Sequence, residues 1–145
     1  MIEVSPGLWI RGQLNEKRGQ GEAIAYLQQL GIHSVMSVHP RGEPMLIGQS
    51  AIAYRHESLS DGKKISSRVQ DIADWVWEHV LGGVLVTCHA GRNRSGLIVA
   101  LTLMRLYTLS GEEALLMLRS QRPRAVANPA FEEYLKGLPK YDYRS

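Results

Sequence analysis

At 145 residues the chain is sized for one domain around one core, with little left over for a second. A formal net charge of +3 on a chain that is 21% charged biases it mildly toward anionic partners. The basic residues are too scattered, with no Lys/Arg run longer than two, to point to nucleic acid. The single cysteine excludes an internal disulfide and argues against a cysteine zinc site. The histidines at 33, 39, 56, 79 and 89 show no ligand spacing, so neither metal nor cofactor is expected. Nothing at the N-terminus reads as a signal peptide. The longest apolar run, Leu97 to Met104, falls short of the about 20 residues a membrane helix needs. The expectation is a cytoplasmic protein without a membrane span.

In chain order, Ser5-Pro6-Gly7 reads as a turn and Leu8-Trp9-Ile10 as a short strand, followed by a polar loop over 15–21. Ala23 to Leu30 predicts a helix stopped by Gly31, and Ile32 to Val38 a strand ended by Pro40 and Gly42. Residues 39–49 hold two prolines and two glycines and read as irregular; Ala51 to His56 is the next strand. The clearest amphipathic helix places Val69, Ile72, Ala73, Val76 and Val80 on one face, and Ser67, Asp71, Asp74 and Glu78 on a solvated one. Trp75 and Trp77 are expected in packing roles. Gly82-Gly83 closes this helix.

A continuously apolar strand, Val84 to Thr87, suits burial on both faces, and Ser95 to Leu109 reads as a buried central helix. Ser110 and Glu113 form a capping box for a helix burying Ala114, Leu115 and Leu118. Asn128-Pro129 opens a last helix, and the tail from Pro139 to Ser145 is expected to be loosely held. Strands alternating with helices give an α/β fold: a mostly parallel sheet of four or five strands flanked by helices.

The chemistry concentrates in Cys88-His89-Ala90-Gly91-Arg92-Asn93-Arg94-Ser95, a loop joining that strand to a helix N-terminus. Backbone N–H groups of such a loop form an anion-binding nest, and the helix dipole adds positive potential. A thiol in the nest is a candidate nucleophile, because a helix N-terminus and a nearby cation favour the thiolate. Arg94 can clamp two phosphate oxygens; Gly91 allows a tight turn; Ser95 can donate to the thiolate or cap the helix. Phosphoryl transfer from an ester also needs a proton for the leaving oxygen. Asp61, between a strand and the helix leading back to Cys88, is the best candidate, while Asp71 and Asp74 read as solvated.

The segment from Cys88 to Ser95 matches the C-x5-R-[ST] signature of cysteine-dependent protein phosphatases, and the chain resembles a compact dual-specificity phosphatase domain over roughly 4–138. Leu8-Trp9-Ile10, Leu30-Gly31-Ile32, Leu59-Ser60-Asp61, and Arg122-Pro123 with Asn128 and Phe131 are similar to flanking features of that family. The resemblance implies a metal-free, two-step hydrolysis of phosphorylated proteins or other phosphomonoesters. In it Cys88 attacks phosphorus, Asp61 acts as acid and then base, and Arg94 with the amides from His89 through Ala90, Gly91, Arg92 and Asn93 holds the oxygens. A carboxyl with an unperturbed pKa near 3.9 in that role gives a bell-shaped rate profile with a mildly acidic optimum.

Thr87 stands where the family usually has histidine. The implied consequence is a less fully activated thiolate, with Thr87 hydrogen-bonding the same backbone instead. His89 and Arg92 could favour heavily charged substrates, phosphoinositides or an RNA 5′-triphosphate, or could simply face solvent; Lys63, Lys64 and Arg68 are candidates for a basic rim. No segment resembles the deep phosphotyrosine-recognition loop of larger tyrosine phosphatases, so phosphoserine and phosphothreonine should also be tolerated. A rhodanese-type sulfurtransferase usually has one residue fewer before its arginine, so the step from Cys88 to Arg94 favours phosphate over sulfur. A catalytically weak phosphoprotein-binding module is the remaining alternative, and would normally lack the Cys, the Arg or the acid.

Overall fold

A computed structural model describes residues 1–12, 14 and 20–144, apart from the side chains of 20–22. Its sheet has the strand order β1-β2-β5-β3-β4, built from β1 (Ile2–Ser5), β2 (Leu8–Gly12), β3 (Ser34–Ser37), β4 (Ala53–His56) and β5 (Val84–Cys88). All neighbours run parallel except the β1–β2 pair, which is antiparallel, so the expected mostly parallel α/β architecture holds. The helices are α1 (Gln20–Gln29), α2 (Val69–Glu78), α3 (Arg94–Tyr107), α4 (Gly111–Gln121) and α5 (Pro129–Lys136).

Alternation along the central strands splits the core in two. On β5, Val84, Val86 and Cys88 face the cluster made with α2, α3, α4 and α5, while Leu85 joins Val35, Ile24 and Leu27 beneath α1. Both faces of β5 are therefore covered, which is why its sequence is almost continuously apolar. The same period places Thr87 on the Leu85 side and Cys88 on the α3 side. Because β5 lies between β2 and β3, its C-terminal end opens at the sheet edge where α/β folds bind ligands.

Several boundaries differ from expectation. β1 went unanticipated; it pairs Ile2 with Ile10 and Glu3 with Trp9 as a short edge strand. Of the expected loop over 15–21, residues 15–19 lie outside the described residues, while Gln20 and Gly21 belong to α1. Gly31 follows α1 at φ +80°, as its stop requires. Residues 39–49 form turns with one 3-10 turn, Pro44–Leu46. α3 ends at Tyr107 because Thr108 turns into the left-handed region, φ +54°. At α4 the capping box forms in both directions: Glu113 N–H donates to Ser110 Oγ at 3.1 Å and Ser110 N–H to Glu113 Oε1 at 3.0 Å.

Asp74 is not merely solvated, contrary to its reading on a polar helix face. It accepts at 2.8 Å from Nε of Arg105, which is only 2% exposed inside α3. Arg105 also donates to the Leu101 carbonyl and to Gln70, and lies 4.6 Å from the Tyr141 ring centroid. A buried guanidinium needs such partners, because desolvation otherwise outweighs any gain. The tail expected to be loosely held carries specific contacts. Tyr141 N–H donates to the Leu109 carbonyl at 3.1 Å, Tyr143 hydroxyl donates to the Arg105 carbonyl, and both rings pack against Trp77.

Among the described residues, no helix is long and apolar enough to cross a membrane.

Candidate active site

β5 delivers Cys88 to the sheet edge, and the chain turns at once through residues 89–93 into α3. The turn depends on Gly91, which sits at φ +66°. A Cβ there would lie 2.5 Å from Gly12 N and 2.7 Å from Arg11 O at the end of β2. Only glycine satisfies both conditions. Gly12 pairs with Cys88 in the sheet and is itself packed against the loop, where a Cβ would meet His89 O at 2.8 Å.

Cys88 is 2% exposed, and its Sγ is held on two sides. Gly91 N–H donates to it at 3.2 Å, and Ser95 Oγ lies 3.0 Å away. Ser95 is fully buried inside the first turn of α3, so it faces the sulfur and does not cap the helix. The outer carbonyls of the loop are occupied: Arg122 donates to Ala90 O at 2.9 Å and Val126 N–H to Arg92 O at 3.0 Å. In a trans peptide the next N–H points the opposite way. The Gly91 amide is thereby turned to the inner side of the loop, where it meets the sulfur.

Asn93 is the N-cap residue of α3, yet its side chain makes no cap bond, so the first helical N–H groups keep their donor capacity. Arg94 Nη1 donates to the Leu59 carbonyl at 3.3 Å, while its Nε is buried without a hydrogen-bond partner. A buried guanidinium N–H left open in this way has donor capacity to offer an anion. Cys88, His89, Ala90, Arg92, Asn93, Arg94 and Asp61 line one pocket of about 170 Å³. That is smaller than the about 300–1,000 Å³ of drug-sized ligand sites, and suits a phosphoryl-sized group.

Of the residues singled out in the loop, six line this pocket, Gly91 and Ser95 lie behind it against the Cys88 sulfur, and Asp61 joins it from the segment after β4. Asp61 is tied in by Asn93 Nδ2 to Oδ2 at 2.9 Å and by Asn128 Nδ2 to Oδ1 at 2.8 Å. Of the expected basic rim, Lys63 lines the adjoining groove, whereas Arg68 is engaged with Glu57 at 3.0 Å. Thr87 does not hydrogen-bond the loop backbone as expected: its Oγ1 is buried without a partner. It faces the α1 side of β5, away from the loop amides.

Sequence reading missed three contributors. The sequence marks Asn128 as a helix start and a flanking match, and Arg122 as a flanking match, with no site role for either. His39 stacks on His89, ring centroids 5.6 Å apart. Burial, then the charges of Arg94, His89, Arg41 and His56, lowers the His39 pKa from the usual histidine value. His39 Nδ1 also accepts from Arg41 N–H at 3.1 Å, consistent with a neutral ring. Among the described residues no group of three or more His, Cys, Asp or Glu is placed to hold a metal ion.

The family model "Dual specificity phosphatase, catalytic domain" matches residues 15–139. The chain is 28% identical over 144 residues to dual specificity protein phosphatase 22 of Xenopus tropicalis, covering 98% of this chain and 66% of that protein. It is 39% identical over 139 residues to MAP kinase phosphatase with leucine-rich repeats protein 3 of Dictyostelium discoideum, covering 92% of this chain. The chain spans just under two thirds of the first relative and 15% of the second. Among solved structures it is similar to a mouse putative dual specificity phosphatase complexed with zinc tungstate, at 26% identity and TM-score 0.75 over 92% of this chain and 82% of that one. DUSP15, at 24% identity and TM-score 0.77 over 94% of this chain and 85% of that one, shares the fold.

Proposed function

The chain belongs to the dual-specificity phosphatase family, and from that premise we propose that it hydrolyses phosphomonoesters, phosphotyrosine and phosphoserine/threonine proteins first, through a cysteinyl-phosphate. The observation that carries the reading is the arrangement around one sulfur. Cys88 Sγ is held between an amide and a hydroxyl, at a pocket that Arg94 and Asp61 also line.

In the first step the Cys88 thiolate forms a bond to phosphorus as the ester P–O bond breaks, and the departing oxygen takes a proton from Asp61. The Arg94 guanidinium and the inward amides of the loop stabilise charge on the three non-bridging oxygens. In the second step water attacks phosphorus, Asp61 takes its proton, and the S–P bond breaks to release phosphate and the thiolate. Ser95 hydroxyl and Gly91 N–H receive the charge returning to sulfur. No other residue at the pocket is needed for the proton balance.

A second reading, a phosphoinositide or RNA 5′-triphosphate substrate, is favoured by Arg92. Besides lining the catalytic pocket, it borders two surface grooves shared with Arg119, Arg122 and Arg124.

Turnover of p-nitrophenyl phosphate by wild type and Cys88→Ser tests the reaction. Activity abolished by the substitution supports it, and a wild type inactive across mildly acidic to neutral pH overturns it in favour of a binding module. A panel of phosphotyrosyl, phosphoseryl, inositol-lipid and RNA triphosphate substrates then ranks the two readings by kcat/KM.

A further inference from the structure

Asp61 stands on a segment whose base is well anchored and whose tip is not. Leu59 is 3% exposed, its N–H bonds the Val38 carbonyl at 3.1 Å, and its own carbonyl takes the Arg94 contact. Beyond Ser60 the chain runs through bends to α2 with Lys63 and Lys64 exposed and Ile65 half-buried against the core, and Asp61 itself is exposed. A carboxylate in that setting has many rotamers open to it, and catalysis needs one.

Two amides select it. Asn93 Oδ1 accepts from Ala127 N–H at 2.8 Å and from Asn128 N–H at 3.1 Å, which leaves its NH2 group toward Asp61 Oδ2. Asn128 Oδ1 caps α5 by accepting from Ala130 N–H at 2.9 Å and Phe131 N–H at 3.3 Å. Its NH2 group is then directed to Asp61 Oδ1 at 2.8 Å and the Gly62 carbonyl at 2.9 Å. The backbone acceptor roles settle both amide orientations, so neither donor assignment is arbitrary. Each carboxylate oxygen of Asp61 receives one N–H and keeps a second lone pair for a proton.

We propose that Asn93 and Asn128 are positioning residues for the proton donor, a two-amide clamp that holds the Asp61 carboxyl over the phosphate loop. Asn93 belongs to that loop and also bonds the 127–128 backbone. The clamp therefore ties the acid segment, the phosphate loop and the α5 N-terminus into one assembly. The proposal rests on Asp61 serving as acid; without that role the clamp has nothing to position.

The test measures kcat/KM for aryl phosphates running from phenyl phosphate, whose leaving group needs a proton, to a dinitrophenyl ester, whose leaving group does not. Asp61→Asn should lose about 100-fold or more on phenyl phosphate and little on the activated ester. Asn128→Ser keeps an α5 cap of comparable quality but cannot reach Asp61. It should lose about 10- to 100-fold on phenyl phosphate and little on the activated ester. Asn93→Ala, which removes no helix cap bond, is the second variant and should tilt the series in the same direction. Introduced into Asp61→Asn, Asn128→Ser should add almost nothing, because the group it positions is already gone.

Equal loss on every ester, or none, in Asn128→Ser and Asn93→Ala overturns the clamp. A steep Asp61→Asn series beside flat asparagine series removes the clamp alone; a flat Asp61→Asn series removes the proton-donor role and the clamp with it.

Discussion

Replacing Ser95 by alanine removes one oxygen 3.0 Å from the Cys88 sulfur, at a fully buried position. Gly91 N–H, at 3.2 Å, is the remaining donor to sulfur. A hydrogen bond to a charged group contributes about 1.5–3 kcal/mol. At tenfold per about 1.36 kcal/mol, its loss corresponds to about 10- to 150-fold in any step that generates the thiolate. In the proposed mechanism that step is breakdown of the cysteinyl-phosphate, in which sulfur is the leaving group. In formation the thiolate is consumed, so losing the hydroxyl lowers the thiolate fraction and raises its nucleophilicity, and the two effects offset. Ser95→Ala should therefore lower kcat by about 10- to 150-fold and leave kcat/KM nearly unchanged. Stopped-flow hydrolysis of p-nitrophenyl phosphate should show a burst of one p-nitrophenolate per enzyme before the slow phase. A parallel fall in kcat and kcat/KM without a burst would refute the assignment of the hydroxyl to the second step.

Three further outcomes follow from the same geometry. Gly91→Ala combines a left-handed φ with a clash against the Arg11–Gly12 backbone, and should cost about 2–5 kcal/mol in urea unfolding as well as activity; a loss below about 1 kcal/mol would contradict the packing argument. His39 has its pKa lowered in the fold by burial and by Arg94, His89, Arg41 and His56, so the unfolded chain binds more protons in the window below about pH 6.5. Its contribution is complete above that pH and is lost as the pH falls toward the lowered folded value. Acidification should accordingly destabilise wild type more than His39→Gln in urea titrations, and parallel profiles would count against it. Peroxide should inactivate the enzyme reversibly with external thiol, and mass spectrometry should find no intramolecular disulfide, since Cys88 is the only cysteine; activity that thiol fails to restore after mild oxidation would argue against a sulfenic acid.

The loop after β5 was legible because its residues are local: Cys88, Gly91, Arg94 and Ser95 lie within eight residues, and one strand-to-helix turn brings them together. The Ser110 capping box was legible for the same reason. What escaped depends on distance in sequence. Asn128 lies 67 residues from Asp61 and His39 lies on a different turn from His89, and neither pairing leaves a periodic trace. Arg105 did carry a signal, since a cation in a helix apolar all round demands a buried partner. That partner, Asp74, had been placed on a face defined only by periodicity. β1 was too short for alternation to register, and α3 stops at a left-handed threonine where no glycine marks the end.

The most direct measurement is intact-protein mass spectrometry after acid quench during turnover of p-nitrophenyl phosphate. Ser95→Ala, in which breakdown is slowed, should carry one added phosphoryl group, localised to the peptide holding Cys88 and absent from the Cys88→Ser, Ser95→Ala double variant. An actively turning-over Ser95→Ala enzyme with no phosphoryl adduct, or with the adduct on another residue, would contradict catalysis through Cys88.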